Sequence, residues 1–265
     1  MQWNGYEISA NVSLLFTELP YRDRFKAAAD AGFVAVETWW PFPEAHPGNS
    51  ALDELADTIH DAGVRLTGLN FFAGDMPAGE RGIACRPERH KELAANTEAV
   101  LRVAHATECR GFNLLYGQPE EDTDPAIHRQ IAVEACRRAT QAVEEIGGVV
   151  LIEPLAEGLN GTYPLTTHHH ALELAEEIGH GAALLFDTFH LGRNGINLAR
   201  AAEESAGRIG HVQLADTPDR GEPGSGTLDW TTVGTSLRHI GYEGTVAAEY
   251  KPTKPTEETL SWLKR

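Results

Sequence analysis

Two spacings of apolar residues alternate along this chain. Short runs such as VVLIEP (149–154), AALLFD (182–187), RIGHVQLAD (208–216) and TVAAE (245–249) are nearly continuously apolar. That is the pattern of strands buried on both faces. Further strands are expected at 6–12, 33–37 (FVAVE), 64–70 (VRLTGLN) and 111–117, the first of them unusually polar. Between the runs lie segments with helical spacing at 20–31, 51–62, 88–107, 125–146, 166–178, 198–206, 230–240 and 256–263. Gly32 and Gly63 stop the first two, and Pro125 opens the fourth in the first turn, where a missing N–H costs nothing. Strand and helix alternate eight times with no linker between, which predicts an α/β protein: one (β/α)8 TIM barrel domain over 1–265. A doubly wound sheet would alternate in the same way but would carry a Gly-rich phosphate loop after its first strand, and ISANVSLL has none.

Several of these runs end on an oxygen ligand. VVLIEP ends with Glu153, AALLFD with Asp187, and TVAAE with Glu249, while HVQLAD carries Gln213 near its end. In a barrel, four successive strands would deliver these groups to one rim, the C-terminal mouth where such folds do their chemistry. Three carboxylates and an amide oxygen form a hard set suited to Mg²⁺ or Mn²⁺. The ordinary reading of each residue alone is a strand-end group that caps the following helix. Glu153 and Glu249 are separated by two strands and can face each other across the mouth, so one could take a proton from a substrate carbon and the other return it. A metal would polarise the carbonyl between them.

Other residues fall on the same rim. His190, three past Asp187, is placed to hydrogen-bond a substrate hydroxyl. Arg220 and, more loosely, Lys251 follow ligand-bearing strands and suit a substrate carboxylate. Asn70 and Glu37 end strands and are expected as polar pocket groups. Trp39, Trp40, Phe71 and Phe72 fit either a pocket wall or a subunit contact in a homo-oligomer. The insertion 71–88, FFAGDMPAGERGIACRPE, exceeds an ordinary barrel loop and reads as a lid. HHH at 168–170 opens a helix and reads as a solvated turn.

Composition narrows the partners. The formal charge of −17 disfavours generic nucleic-acid binding and means that an anionic substrate needs a local positive site. No segment approaches the roughly 18 apolar residues of a membrane helix. The N-terminus lacks the basic start and apolar run of a signal peptide, and the three cysteines show no metal-type spacing, so a soluble cytoplasmic protein is expected.

The segments ANVSLLFTELP, GDMPAGERG, LIEP, FDTFH, HVQLADTPDR and GYEGTVAAEYKP, with Trp262 near the end, resemble the hydroxypyruvate isomerase family within the xylose-isomerase-like barrels. The resemblance runs from Ala10 to the C-terminus. It implies the barrel already argued, a divalent metal, catalytic glutamates at Glu153 and Glu249, and further ligands at Asp187 and Gln213. The His and Arg that hold substrate in related ketose epimerases fall on His190 and Arg220. Gln213 points to the isomerase branch, since ketose 3-epimerases resembling this chain usually have His there. The loop LAEGLNGTYPLTT departs from the family pattern at Ala156 and Pro164. The activity so implied is metal-assisted isomerisation of a short 2-keto-hydroxy acid to its aldehyde isomer through an enediolate, with hydroxypyruvate and tartronate semialdehyde, or a 2-oxo-tetronate relative, as the pair. Its rivals are a ketose 3-epimerase on free sugars, an endonuclease IV type nuclease, and a sugar-acid binding protein without catalysis. The nuclease would need several zinc-binding His residues and a basic groove.

Overall fold

The structure, a computed structural model, describes residues 1–120 and 124–264. A two-residue strand, β1 (Gln2–Trp3), lies antiparallel to β2 (Tyr6–Asn11). From β2 the chain runs through β3 (Ala35–Thr38), β4 (Arg65–Asn70), β5 (Gly111–Asn113), β6 (Val149–Ile152), β7 (Ala182–Asp187), β8 (Ile209–Leu214) and β9 (Thr245–Ala248). Each of these pairs in parallel with the next, and Ile8, Ser9 and Ala10 of β2 close the ring on Val246, Ala247 and Ala248 of β9. The result is a closed eight-stranded parallel barrel surrounded by helices. No described helix is long and apolar enough to cross a membrane.

The helices are α1 (Asp23–Ala31), α2 (Asn49–Asp61), α3 (His90–Thr107), α4 (Pro125–Glu144), α5 (His168–Ile178), α6 (Thr188–Arg193), α7 (Leu198–Glu204) and α8 (Trp230–His239). Their packing follows from spacing. α2 buries Leu52, Leu55, Ala56 and Ile59, a single stripe at three- and four-residue steps. Caps fix the starts: Asp124 accepts from the Ala126 N–H, Thr167 from His170, and Asp229 from Thr231 and Thr232. Each such cap stabilises its helix by about 1 kcal/mol.

Besides the short β1, three elements differ from the sequence expectation. β5 stops at Asn113 instead of running to 117, because Tyr116 pairs with Gly82 of the inserted loop. α6 was not expected; it is a six-residue helix that starts where β7 ends and is capped by Asp187 itself. The last segment is a 3-10 helix (Thr256–Trp262), not an α-helix. Its first residue is tied to the loop after β2, with Thr256 accepting from the Phe16 N–H at 2.7 Å and donating its own N–H to Glu18 at 3.0 Å. Trp262 then packs edge-on against Trp3 and Tyr250. Gln2 and Lys264 exchange backbone hydrogen bonds, so the two ends of the described chain meet below the barrel.

Candidate active site

At the C-terminal ends of the strands lies a cavity of ≈ 680 Å³ whose lining includes Asn70, Glu153, His190, Arg220, Glu249 and Lys251. Asp187 and Gln213 are register partners on β7 and β8, and both are buried. Glu249 follows β9, its N–H bound to the Leu214 carbonyl at 3.2 Å. The four oxygen-bearing residues therefore reach one rim, as the ends of successive strands must in a closed parallel barrel.

Asp187 holds both of the positions that sequence alone left open. Oδ1 caps α6 by accepting from the His190 N–H at 3.0 Å, and Oδ2 accepts from Arg220 Nη2 at 3.4 Å. His190 is buried, and its Nδ1 accepts from the Ala156 N–H at 2.9 Å. The ring proton of the neutral tautomer is thereby assigned to Nε2, which points at Glu153 (3.5 Å) and Asp187 (3.9 Å). Burial pushes the imidazole down to about 3, so it stays neutral at ordinary pH and can donate from Nε2. The departure at Ala156 leaves this contact intact because the backbone supplies it.

Glu153 accepts from Asn113 Nδ2 at 2.6 Å, and burial together with the nearby Asp187 charge pushes its carboxyl up to about 8. Glu249 is also raised, by burial first and despite Arg220. Its Oε1 accepts from Trp39 Nε1 at 2.7 Å and Asn11 Nδ2 at 3.0 Å, while Oε2 takes Arg220 Nη2 at 2.5 Å. Arg220 lines the same cavity, and its guanidinium joins Glu249 and Asp187 and lies over the Phe189 ring. Burial alone would weaken that charge, but Glu249, Asp187 and Glu153 outweigh it and raise the pKa. Lys251 lines the rim as an exposed side chain, and Asn70 lines it half-buried.

A polar frame lies behind the mouth. Glu37, expected only as a pocket group, is buried and accepts from Gln213 Nε2 (2.7 Å), His211 Nε2 (2.6 Å) and Asn11 Nδ2 (2.8 Å). His211 is held in turn by Thr245 at 2.7 Å. With its amide nitrogen fixed on Glu37, Gln213 leaves Oε1 buried and without a hydrogen-bond partner. Such an orphaned acceptor among carboxylates is what a cation ligand looks like before the cation is added. Glu153, Asp187 and His190 also each offer an atom within 4.8 Å of the others. The residues present therefore fit a divalent ion.

Sequence reasoning did not find Asn11 or His211 as partners of Glu37, nor Asp216. Asp216 accepts from the N–H groups of Thr217, Gly224 and Leu228 and from Trp230 Nε1, which shapes the loop that carries Arg220. A strand residue such as Asn11, polar where apolar is usual, was the available signal. Among the aromatics, Trp39 lines the cavity, Phe71 and Phe72 are buried, and Trp40 packs edge-on against Phe42.

The inserted loop sits over the mouth, with Met76, Pro77 and Arg81 in the cavity lining. It is pinned by Gly82, whose N–H binds the Ala73 carbonyl at 2.8 Å, and by the Cys85 N–H on the Tyr116 carbonyl at 2.9 Å. Gly82 has φ +102°, and a Cβ there would stand 2.2 Å from the Leu115 carbonyl oxygen. Gly82→Ala should therefore detach the loop at a cost of order 1–3 kcal/mol while the barrel persists. Limited proteolysis should cut within 73–86 several-fold faster, with the thermal unfolding midpoint lowered by only a few degrees; equal cutting rates would refute the anchoring role.

A family model described as xylose isomerase-like TIM barrel matches residues 25–265. A Streptomyces coelicolor protein provisionally named as a hydroxypyruvate isomerase is 40% identical, over 99% of this chain and 97% of its own length. Hydroxypyruvate isomerase of Escherichia coli K12 is 34% identical, over 96% and 97%. The 2-oxo-tetronate isomerase of Pectobacterium atrosepticum is 32% identical, over 97% and 96%. Among solved structures, one titled AP endonuclease, family 2, from Brucella melitensis superposes with a TM-score of 0.89 at 31% identity, covering 97% of each chain.

Proposed function

Since this chain belongs to the xylose isomerase-like TIM barrel family, we propose that it interconverts a short 2-keto-hydroxy acid and its aldehyde isomer, hydroxypyruvate and tartronate semialdehyde first and a 2-oxo-tetronate pair second. That it is an isomerase follows from relatives of that activity that align over nearly their whole length. The observation that carries the reaction is the pair of buried glutamates, Glu153 and Glu249, at the ends of β6 and β9, both held well above the usual carboxylate range. An aldose–ketose shift needs one group to take a proton from the hydroxymethyl carbon and a group to return one at the former keto carbon, and two carboxylates lining one cavity can serve as both. In this reading one glutamate accepts the proton from C3 of hydroxypyruvate to give the enediolate, and a glutamate returns a proton at C2. The hydroxyl proton moves from the C3 oxygen to the C2 oxygen, so the isomers differ by no atom. His190 Nε2–H donates to a substrate oxygen without being deprotonated.

Glu153, Asp187, Gln213 and Glu249 would hold a divalent ion, Mg²⁺ or Mn²⁺, and when bound it would supply Lewis-acid polarisation of the keto oxygen. Because burial raises Glu153 and Glu249 above the usual carboxylate range when no cation is there, ion binding should release protons from them. With Glu153 at about 8 and Glu249 also raised, apparent Mn²⁺ affinity should rise by about tenfold per pH unit per proton released as pH approaches about 8 from below. Calorimetry in two buffers of different protonation enthalpy reads the released protons directly; identical heats in both buffers would count against the ligand assignment. The reaction itself is tested by a turnover screen of short keto acids against free ketoses with Mg²⁺ or Mn²⁺ added. Faster conversion of ketoses than of keto acids would instead indicate a 3-epimerase.

A further inference from the structure

Three cations line the cavity: Arg81, Arg220 and Lys251. Arg220 is joined to Glu249 and Asp187, and Lys251 is exposed. Arg81 is neither. It projects from the loop over the mouth and is braced from two sides: Nε donates to Asn160 Oδ1 at 2.9 Å, and Nη1 donates to the carbonyls of Met76 (3.1 Å) and Glu80 (2.7 Å). Its backbone N–H is held by Gln118 Oε1 at 3.2 Å, and Gln118 in turn donates to the Asn160 and Gly79 carbonyls. Among the described residues, Nη2 makes no hydrogen bond, and no carboxylate lies within ion-pair reach of the guanidinium. Burial first, and the neighbouring Arg220 second, both act against its charge. A half-buried guanidinium, fixed in place by neutral acceptors and facing a cavity, lacks one thing: an anion. The chain's −17 charge makes such a bare cation more conspicuous, because carboxylates to pair it were abundant.

We infer that Arg81 is the subsite for the substrate's carboxylate, so that the loop over the mouth selects acids over neutral ketoses. This rests on the keto-acid reading above, and it moves the acid-binding role from Arg220 to the lid. Asn160, the brace for Nε, belongs to LAEGLNGTYPLTT, the loop after β6. With the carboxylate bound at the lid, the keto and hydroxymethyl carbons are left to the deeper Glu153 and Glu249.

The test compares hydroxypyruvate with dihydroxyacetone, its neutral counterpart, in the metal-loaded wild type and in Arg81→Met, Arg81→Lys and Lys251→Met. Losing a hydrogen bond to a charged group should raise KM for hydroxypyruvate by about 10- to 100-fold in Arg81→Met. Its kcat should change far less, and KM for dihydroxyacetone should hold. Arg81→Lys should recover part of the loss, because a point charge replaces a fork. If dihydroxyacetone turns over too slowly to follow, inhibition of hydroxypyruvate turnover by D-glycerate and by glycerol gives the same comparison. Equal weakening of acid and neutral ligands in Arg81→Met would overturn the subsite, as would an acid-specific loss that appears in Lys251→Met instead. A wild type that converts only neutral ketoses would defeat the keto-acid reading itself, a result read before any variant is made.

Discussion

Glu249→Gln should lower turnover of the keto acid by about 10²–10⁴-fold, the usual contribution of a positioned general acid or base. The surroundings of this carboxylate decide how the amide would sit. Asn11 Nδ2 and Trp39 Nε1 both donate to Oε1, so the Gln carbonyl oxygen must stay on them. The NH₂ then takes the place of Oε2, facing Arg220 and the mouth, where it can neither accept a proton nor hold a cation. Ion affinity should therefore fall together with kcat, although Gln is nearly the same shape. Steady-state kinetics at saturating Mn²⁺ with calorimetric titration of the ion would check both; a kcat within about threefold of wild type would remove Glu249 from the proton-transfer pair.

Asp187 allows its two duties to be separated. Asn is as good a helix cap as Asp, so Asp187→Asn should keep the bond to the His190 N–H and hence α6. What changes is the group that faces Arg220, from a carboxylate oxygen to an amide nitrogen. Divalent-ion affinity is expected to drop by at least about 100-fold, more than removal of an outer-shell partner usually costs. Asp187→Ala should show the same loss and in addition lose about 1 kcal/mol of stability with the cap. The rise in thermal midpoint produced by Mn²⁺ in the wild type should vanish in both variants. Retention of that rise in Asp187→Asn would mean that the ion binds elsewhere.

The parts that could be read from sequence are those where one chemical rule dominates. Apolar runs buried on both faces announced β6 to β9, and the acidic residues that end those runs marked Glu153, Asp187 and Glu249 as candidates, although Asp187 also caps the helix that follows it. What could not be read depends on contacts between distant segments. β5 is short because Gly82, some thirty positions earlier, takes the pairing of Tyr116. α6 is too short for periodicity to show, and its start is set by a side chain counted as a ligand. Arg220 and Arg81 both look like free cations in sequence. Only the fold brings Glu249 and Asp187 to the first and neutral acceptors to the second. Gln213 suggested a ligand, but the carboxylate that orients its amide lies on a strand 176 residues away in sequence.

The frame around Glu37 bears on how such a barrel can change over generations. Replacing Glu37 by an apolar residue, the ordinary occupant of a barrel interior, would strip the acceptor from Gln213 Nε2 and from His211 Nε2 at once. Two buried donors left unpaired cost about 2–6 kcal/mol, against a total stability of about 5–15 kcal/mol for a typical domain. Replacing His211 or Gln213 first leaves a buried carboxylate short of donors, which is no cheaper. Lineages descending from this barrel can thus vary the lid and rim one residue at a time, while Asn11, Glu37, His211 and Gln213 are inherited or lost as a block.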